Sequence, residues 1–143
     1  MEELFGTEPL NSHKGPVAVA DAFTGVKFVC IYFSMHNCPP CREFTPIFAS
    51  LYEEFNADEK QFEVVFCSGD KTQEVYNEYY EEQPWLALQF KDARIAPIAK
   101  RFEVKGVPRL IVLKLDGTVI ASTAVDKVKS EGPGALEEFL AAA

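Results

Sequence analysis

Asn37-Cys38-Pro39-Pro40-Cys41-Arg42 follows an apolar run, Phe28-Val29-Cys30-Ile31-Tyr32-Phe33, and opens a long stretch of helical period. Two thiols three positions apart at a strand-to-helix junction point to a dithiol that opens and closes as a disulfide. A thiolate is the nucleophile, and a free cysteine is mostly protonated near neutrality, so something must favour the anion. A helix N-terminus does this with unpaired N–H groups and a partial positive charge. Cys38 is expected at the N-cap or just before it. Pro39 or Pro40 then falls near the first helical position, where a missing N–H costs little. Cys41 lies about one turn in, deeper and less exposed. The reading that follows has Cys38 attacking a partner disulfide and Cys41 resolving the mixed disulfide.

Two other uses of the pair compete with this one. Zinc needs four ligands at suitable spacing, and no second CxxC or closely spaced pair of histidines is present. His13, His36, Cys30 and Cys67 are scattered, so no metal is expected. A fixed structural disulfide fits poorly, because no secretory signal is visible. Met1-Glu2-Glu3-Leu4-Phe5 is acidic and carries no apolar core. Four cysteines in such a chain point to a reducing compartment, and the cytoplasm is the expectation.

The chain has 143 residues, enough for one domain with a real core and too few for two ordinary ones. One domain over 1–143 is therefore expected. Residues 1–15, with Gly6, Pro9, Asn11, Ser12 and Gly15, form a loosely held lead-in, and a short edge strand is expected around Val17–Val19. His13 in that segment reads as a solvated side chain. The net charge of −8 argues against nonspecific nucleic-acid binding and against an anionic membrane surface. No run approaches the roughly 18 apolar residues of a membrane span.

The rest of the pattern alternates. Lys27–Ser34 and Phe62–Cys67 are continuous apolar runs, expected as inner strands buried on both faces. Cys30 and Cys67 within them read as buried thiols, although Cys67, at a strand end, could also lie near the dithiol. Between the strands, Phe44, Ile47, Phe48, Leu51, Tyr52 and Phe55 mark one face of a helix from Pro40 to about Asn56, with Pro46 inside it. Asp70 and Gln73 suggest an N-cap and its box partner for a helix carrying Val75, Tyr76, Tyr79 and Tyr80, stopped by Pro84. Trp85, the only tryptophan, is either a core plug or an exposed platform beside the thiols. Ile95, Ile98, Ala99 and Phe102 give a third helix. Leu110–Leu113 and Thr118–Ser122 form a hairpin through Asp116-Gly117, and Pro133-Gly134 opens a last helix with Leu136, Phe139 and Leu140 facing in. The fold class is α/β, a central mixed β-sheet flanked by helices on both faces.

That order, with a CxxC after an inner strand and a proline before a hairpin, resembles the thioredoxin-like fold. The chain is similar to its tryparedoxin and nucleoredoxin branch from about Val17 to Ser122. The motifs are Tyr32-Phe33-Ser34, Cys38-Pro39-Pro40-Cys41-Arg42, Phe44-Thr45-Pro46, Phe62-Glu63-Val64-Val65, Ser68-Gly69-Asp70-Lys71, Pro84-Trp85-Leu86-Ala87 and Gly106-Val107-Pro108. The resemblance implies a cis peptide at Val107–Pro108 packed beside the thiols. It makes Cys38 the nucleophile and Cys41 the resolving thiol, with Asn37, Pro39, Pro40, Arg42, Trp85, Val107 and Pro108 as the surrounding shell. It implies a thiol–disulfide oxidoreductase acting on protein disulfides, with peroxiredoxin-type peroxidases as one acceptor class. A low-molecular-weight thiol or a reductase would be the electron donor. No bound cofactor is expected beyond the Cys38–Cys41 redox pair, and the chain is expected to act as a monomer.

Two positions depart from the pattern of the branch, and a third from that of general thioredoxins. Asn37 stands where the branch has tryptophan. Arg109 stands where it usually has threonine, and either faces the thiols or runs along the outer sheet face. Tyr32 stands where general thioredoxins bury an aspartate, as in this branch, so proton handling must come from elsewhere or from water. His36, two residues before Cys38, either stabilises the thiolate when charged or is an exposed loop histidine. The competing function is a redox-sensitive binding module with little turnover.

Overall fold

The computed structural model describes residues 1–143. The lead-in is packed rather than loose, which corrects the expectation from its composition. Glu2–Phe5 (α1) forms one helical turn, and Phe5 and Leu10 are both fully buried. Arg94 holds this segment from across the chain, donating to the carbonyls of Phe5, Glu8 and Pro9. The edge strand expected around Val17–Val19 reduces to a single antiparallel bridge, Leu10 to Val17. Val19–Ala22 instead forms a short helix (α2). His13 is exposed, yet its ring stacks on Tyr80 at 4.4 Å rather than standing free in solvent.

Phe28–Ser34 (β1) is buried at every position, as a strand with neighbours on both edges and helices over both faces must be. Pro39–Phe55 (α3) follows and runs through Pro46 as one helix. Phe62–Ser68 (β2) pairs in parallel with β1, Phe28 opposite Phe62 through Ser34 opposite Ser68. Gln73–Glu81 (α4) comes next. Its N-cap is Thr72, whose hydroxyl accepts from the Val75 N–H, and not Asp70. Asp70 is unavailable because its carboxylate already accepts from the Ser68 hydroxyl and the His36 N–H. Gln73 bonds Asn77 instead of closing a capping box.

Leu86–Ala87 (β3) adds two residues to the sheet beside β2. Ile95–Arg101 (α5) precedes Arg109–Lys114 (β4) and Val119–Ala121 (β5), an antiparallel hairpin. Gly117 adopts φ 92° in its turn, a conformation costly for any residue with a Cβ. Val125–Glu131 (α6) was not foreseen from the sequence pattern, and Pro133–Ala142 (α7) closes the chain.

The sheet order is β3-β2-β1-β4-β5, mixed, with the antiparallel hairpin on one side. One core of 22 residues lies between the sheet and α3, α4, α6 and α7, dominated by Phe28, Tyr32, Phe44, Phe48, Phe66, Trp85 and Phe139. A second core of 15 residues lies under α1, α2 and α5, with Phe5, Leu10, Ile31, Phe33 and Ile98. No helix is long and apolar enough to cross a membrane.

Candidate active site

β1 ends at Ser34, and the chain turns through Met35–Asn37 before α3 begins. Asp70, at the end of the adjacent strand, fixes this turn by accepting the His36 N–H at 2.7 Å. Cys38 is the N-cap of α3, with φ −106° and ψ 110°. Its carbonyl already accepts the Arg42 N–H at 3.0 Å, the first helical bond. Pro39 and Pro40 occupy the next two positions and carry no N–H. Among the first three helical residues, Cys41 alone therefore offers a backbone donor.

The two sulfurs differ in environment. Cys38 is half-buried, and its Sγ lies 3.8 Å from the Val107 carbonyl oxygen. The Val107–Pro108 peptide beside it is cis. Cys41 is fully buried one turn behind. Burial, and then the contact with Cys38, push the Cys41 thiol up to about 11, while the Ser34 hydroxyl and the Met35 N–H pull it down. All four cysteines are thiols in this structure. Cys30 and Cys67 are buried in opposite cores, so neither joins the pair.

Asn37, Pro39, Pro40 and Arg42 are exposed around Cys38, and Val107 and Pro108 form the opposite wall. Pro40 and Pro108 open onto a groove of about 270 Å³ whose far side carries Arg109, Asp126 and Lys129.

Three residues stand elsewhere than in the site. Trp85 is 1% exposed and is a core plug, not an exposed platform or part of the surface around the thiols. Its ring meets Tyr32, Phe48 and Tyr52, and its indole N–H donates to Gln83. Arg109 does not face the sulfurs, because its guanidinium donates to the carbonyls of Ser122, Glu103 and Phe102. His36 is neither free nor aimed at Cys38. Its ring stacks on Tyr79 at 5.1 Å, with Nε2 3.5 Å from Glu82.

Sequence reasoning missed a set of hydroxyls behind Cys41. The Tyr32 hydroxyl bonds Thr45 at 2.7 Å, Thr45 bonds Tyr79 at 2.6 Å, and Tyr79 bonds Ser34 at 2.5 Å. A signal was available. Tyr32 and Ser34 are two apart on a strand, hence on one face, and Cys41 and Thr45 are four apart on a helix, hence on one face.

A strand, a two-thiol turn and a helix, with a cis proline alongside, define a dithiol protein of thioredoxin architecture. A family described as thioredoxin-like matches residues 25–119. Probable nucleoredoxin 1 of Arabidopsis thaliana is 43% identical over 109 residues, 76% of this chain. The match spans only 19% of that longer protein. Tryparedoxin of Trypanosoma brucei brucei is 38% identical over 134 residues, covering 92% of this chain and 91% of the relative. A solved tryparedoxin from Trypanosoma brucei superposes with a TM-score of 0.82 at 36% identity, over 92% of this chain and 90% of the other. Tryparedoxin II, solved in complex with glutathionylspermidine, gives 0.80 at 30% identity over 91% of each chain. The chain belongs to the thioredoxin-like family, on its tryparedoxin and nucleoredoxin branch.

Proposed function

We propose that this protein is a protein-disulfide reductase that passes electrons through Cys38 and Cys41. The observation that carries the reading is the contrast between the sulfurs: one at the mouth of α3, one sealed directly behind it. The Cys38 thiolate attacks a partner disulfide. A Cys38–partner disulfide forms, and one partner sulfur leaves as thiolate. Cys41 then attacks the Cys38 sulfur, the Cys38–Cys41 bond forms, and the second partner sulfur leaves. Two electrons pass to the partner, which takes up two protons in becoming a dithiol. Asn37, Pro39, Pro40, Arg42, Val107 and Pro108 shape the surface the partner meets, and an extended segment can pair with backbone beside Pro108.

Acceptors are protein disulfides, with peroxiredoxin-type peroxidases as one class. The donor is a low-molecular-weight thiol or a reductase. The solved complex of tryparedoxin II with glutathionylspermidine supports a small molecule at the donor end. No further cofactor is required, because the dithiol itself carries both electrons. The setting is the cytoplasm and the working form a monomer.

Insulin reduction with dithiothreitol tests the proposal. Turnover above the reductant background should vanish in Cys38→Ser. Cys41→Ser should accumulate mixed disulfides through Cys38, and Cys38→Ser should not. Rates equal to dithiothreitol alone would favour a redox-sensitive binding module. Trapping by the opposite variant would reverse the two roles.

A further inference from the structure

We propose that Asp70 is a positioning residue for the dithiol: its carboxylate holds the Met35–Asn37 turn so that the Cys38 sulfur stands where a docked partner disulfide arrives. The inference rests on the dithiol reading and gives a residue outside the CPPC turn a part in the first attack.

The turn is tied to the end of β2 at two points. The Gly69 N–H donates to the Ser34 carbonyl at 2.9 Å, which holds the last residue of β1. The Asp70 carboxylate accepts the His36 N–H at 2.7 Å, and this bond reaches the turn itself. From there the Cys38 N–H donates to the Met35 carbonyl at 3.3 Å, and the Cys38 carbonyl accepts the first helical bond of α3. On the far side, the Cys38 sulfur lies 3.8 Å from the Val107 carbonyl oxygen. The sulfur is thus located between a turn anchored on β2 and the wall that leads into β4. A turn released from Asp70 is free to carry Cys38 away from that wall.

Asp70 is itself held still. Oδ1 takes the His36 N–H, and Oδ2 takes the Ser68 hydroxyl at 2.7 Å. The Asp70 N–H donates to the same hydroxyl at 2.9 Å. The residue is 7% exposed, and none of the protein's six ion pairs includes it. A buried carboxylate without a cation is costly unless its hydrogen bonds offset the lost hydration. A bond from an N–H to a carboxylate is about twice as strong as a neutral one, so the charge strengthens the hold on His36. The same charge works against a thiolate two residues on, because like charges oppose each other's ionisation. Placement and ionisation therefore pull in opposite directions at Cys38, and this separates them experimentally.

A partner segment paired beside Pro108 presents its disulfide at a fixed place. Misplacing the attacking atom by about 1 Å can cost on the order of a hundredfold. A small alkylating agent has no such requirement. The test compares the two reactions in Asp70→Ala and Asp70→Asn. Insulin reduction is measured with both thiols present. Alkylation of Cys38 by iodoacetamide is measured in a Cys41→Ser background and resolved by mass spectrometry. Asp70→Ala should lower kcat/KM for insulin about tenfold. Its Cys38 should alkylate as fast as the parent or faster, since the opposing charge is gone. Asp70→Asn keeps an acceptor oxygen for the His36 N–H and should recover to within about threefold of the wild type. The His36 amide should lose hydrogen-exchange protection in Asp70→Ala while the Gly69 amide keeps its own. A purely structural role would shift the unfolding midpoint and leave both reactions of the folded protein unchanged.

Unchanged insulin reduction in Asp70→Ala overturns the proposal, as does an Asp70→Asn variant no better than Asp70→Ala. Alkylation falling in step with insulin reduction also overturns it, because Cys38 would then be disabled rather than misplaced. If Asp70→Ala does not fold, Ser68→Ala decides. It frees the carboxylate without removing it and should lose about two- to threefold; no loss there ends the proposal. The two failures are separable. Absence of Cys38-dependent insulin reduction in the wild type sinks the dithiol reading and this inference with it. Wild-type turnover matched by Asp70→Ala sinks the positioning role alone.

Discussion

Glu63 is a carboxylate inside an otherwise apolar strand, and it is 1% exposed. It is tolerated because its oxygens are filled. Oε1 accepts from the Tyr52 hydroxyl at 2.8 Å and from the Val64 N–H at 3.0 Å, and Oε2 from Lys60 at 2.7 Å. The geometry depends on β3 being short. β3 pairs only with Val65 and Phe66, so β2 is an open edge at Glu63, and side chains from α3 and the following loop can reach around it. Tyr52→Phe removes one donor and leaves the charge in place. It should destabilise the protein by about 1.5–3 kcal/mol, the usual size of a hydrogen bond to a charged group, read from urea unfolding. In a Glu63→Leu background the same change should cost much less, because the charge it serves is gone. Equal costs in both backgrounds would show that the Tyr52 hydroxyl does not act through Glu63.

At the scale of elements, the lead-in is held by one side chain of a distant helix start. Arg94 reaches back 85 residues to the Pro9 carbonyl and pairs with Asp92 at 2.8 Å. The hydrogen bond from Arg94 holds the Asp92 carboxyl below the usual carboxylate range, against the opposing pull of burial. A folded-state pKa below the unfolded one means the stabilisation is complete above the ordinary aspartate value of about 3.9 and is lost as pH falls through the lower folded value. The amides of Leu10 and Val17, which bond each other's carbonyls, should therefore lose hydrogen-exchange protection below about pH 4. In Asp92→Asn their protection should be lower already at pH 6 and nearly flat with pH. Protection in that variant matching the wild type would remove Asp92 from the clamp. The same contact explains why this segment was illegible in the sequence: its composition is that of a loop, and what orders it lies at the far end of the chain. The inner strands were legible because a continuous apolar run such as Phe28–Phe33 fits only a strand covered on both faces. So was the placement of the two sulfurs, since CPPC at a strand–helix junction puts one cysteine at the helix cap and the other one turn in. Thr72, Trp85 and Arg109 were misplaced or left open because each is decided by partners distant in sequence or by a competitor. Asp70 could not cap α4 once His36 and Ser68 had claimed its carboxylate.

For the molecule as a whole, the question is whether the two cores open together. They share one sheet, and its strands alternate their side chains between them: Cys30 enters the core under α3, and Ile31 beside it enters the other. Removing the helices from one face would bare half of every strand while the other half stayed packed. For a domain of this size the expected result is a single transition. Cys30 and Cys67 report on this directly, one in each core. Burial pushes both thiols well above the ordinary thiol value, and each is at most 1% exposed, so neither should react in the native state. Alkylation therefore has to wait for opening. Pulse labelling across a urea series, with Cys38 and Cys41 replaced by serine, should show Cys30 and Cys67 becoming reactive at the same midpoint as the loss of the Trp85 signal. The face carrying α1, α2 and α5 is the one that could depart first, since its helices are short and its lead-in hangs on Arg94. Labelling of Cys67 at lower urea than Cys30 would show that face opening as a separate unit and would end the single-transition account.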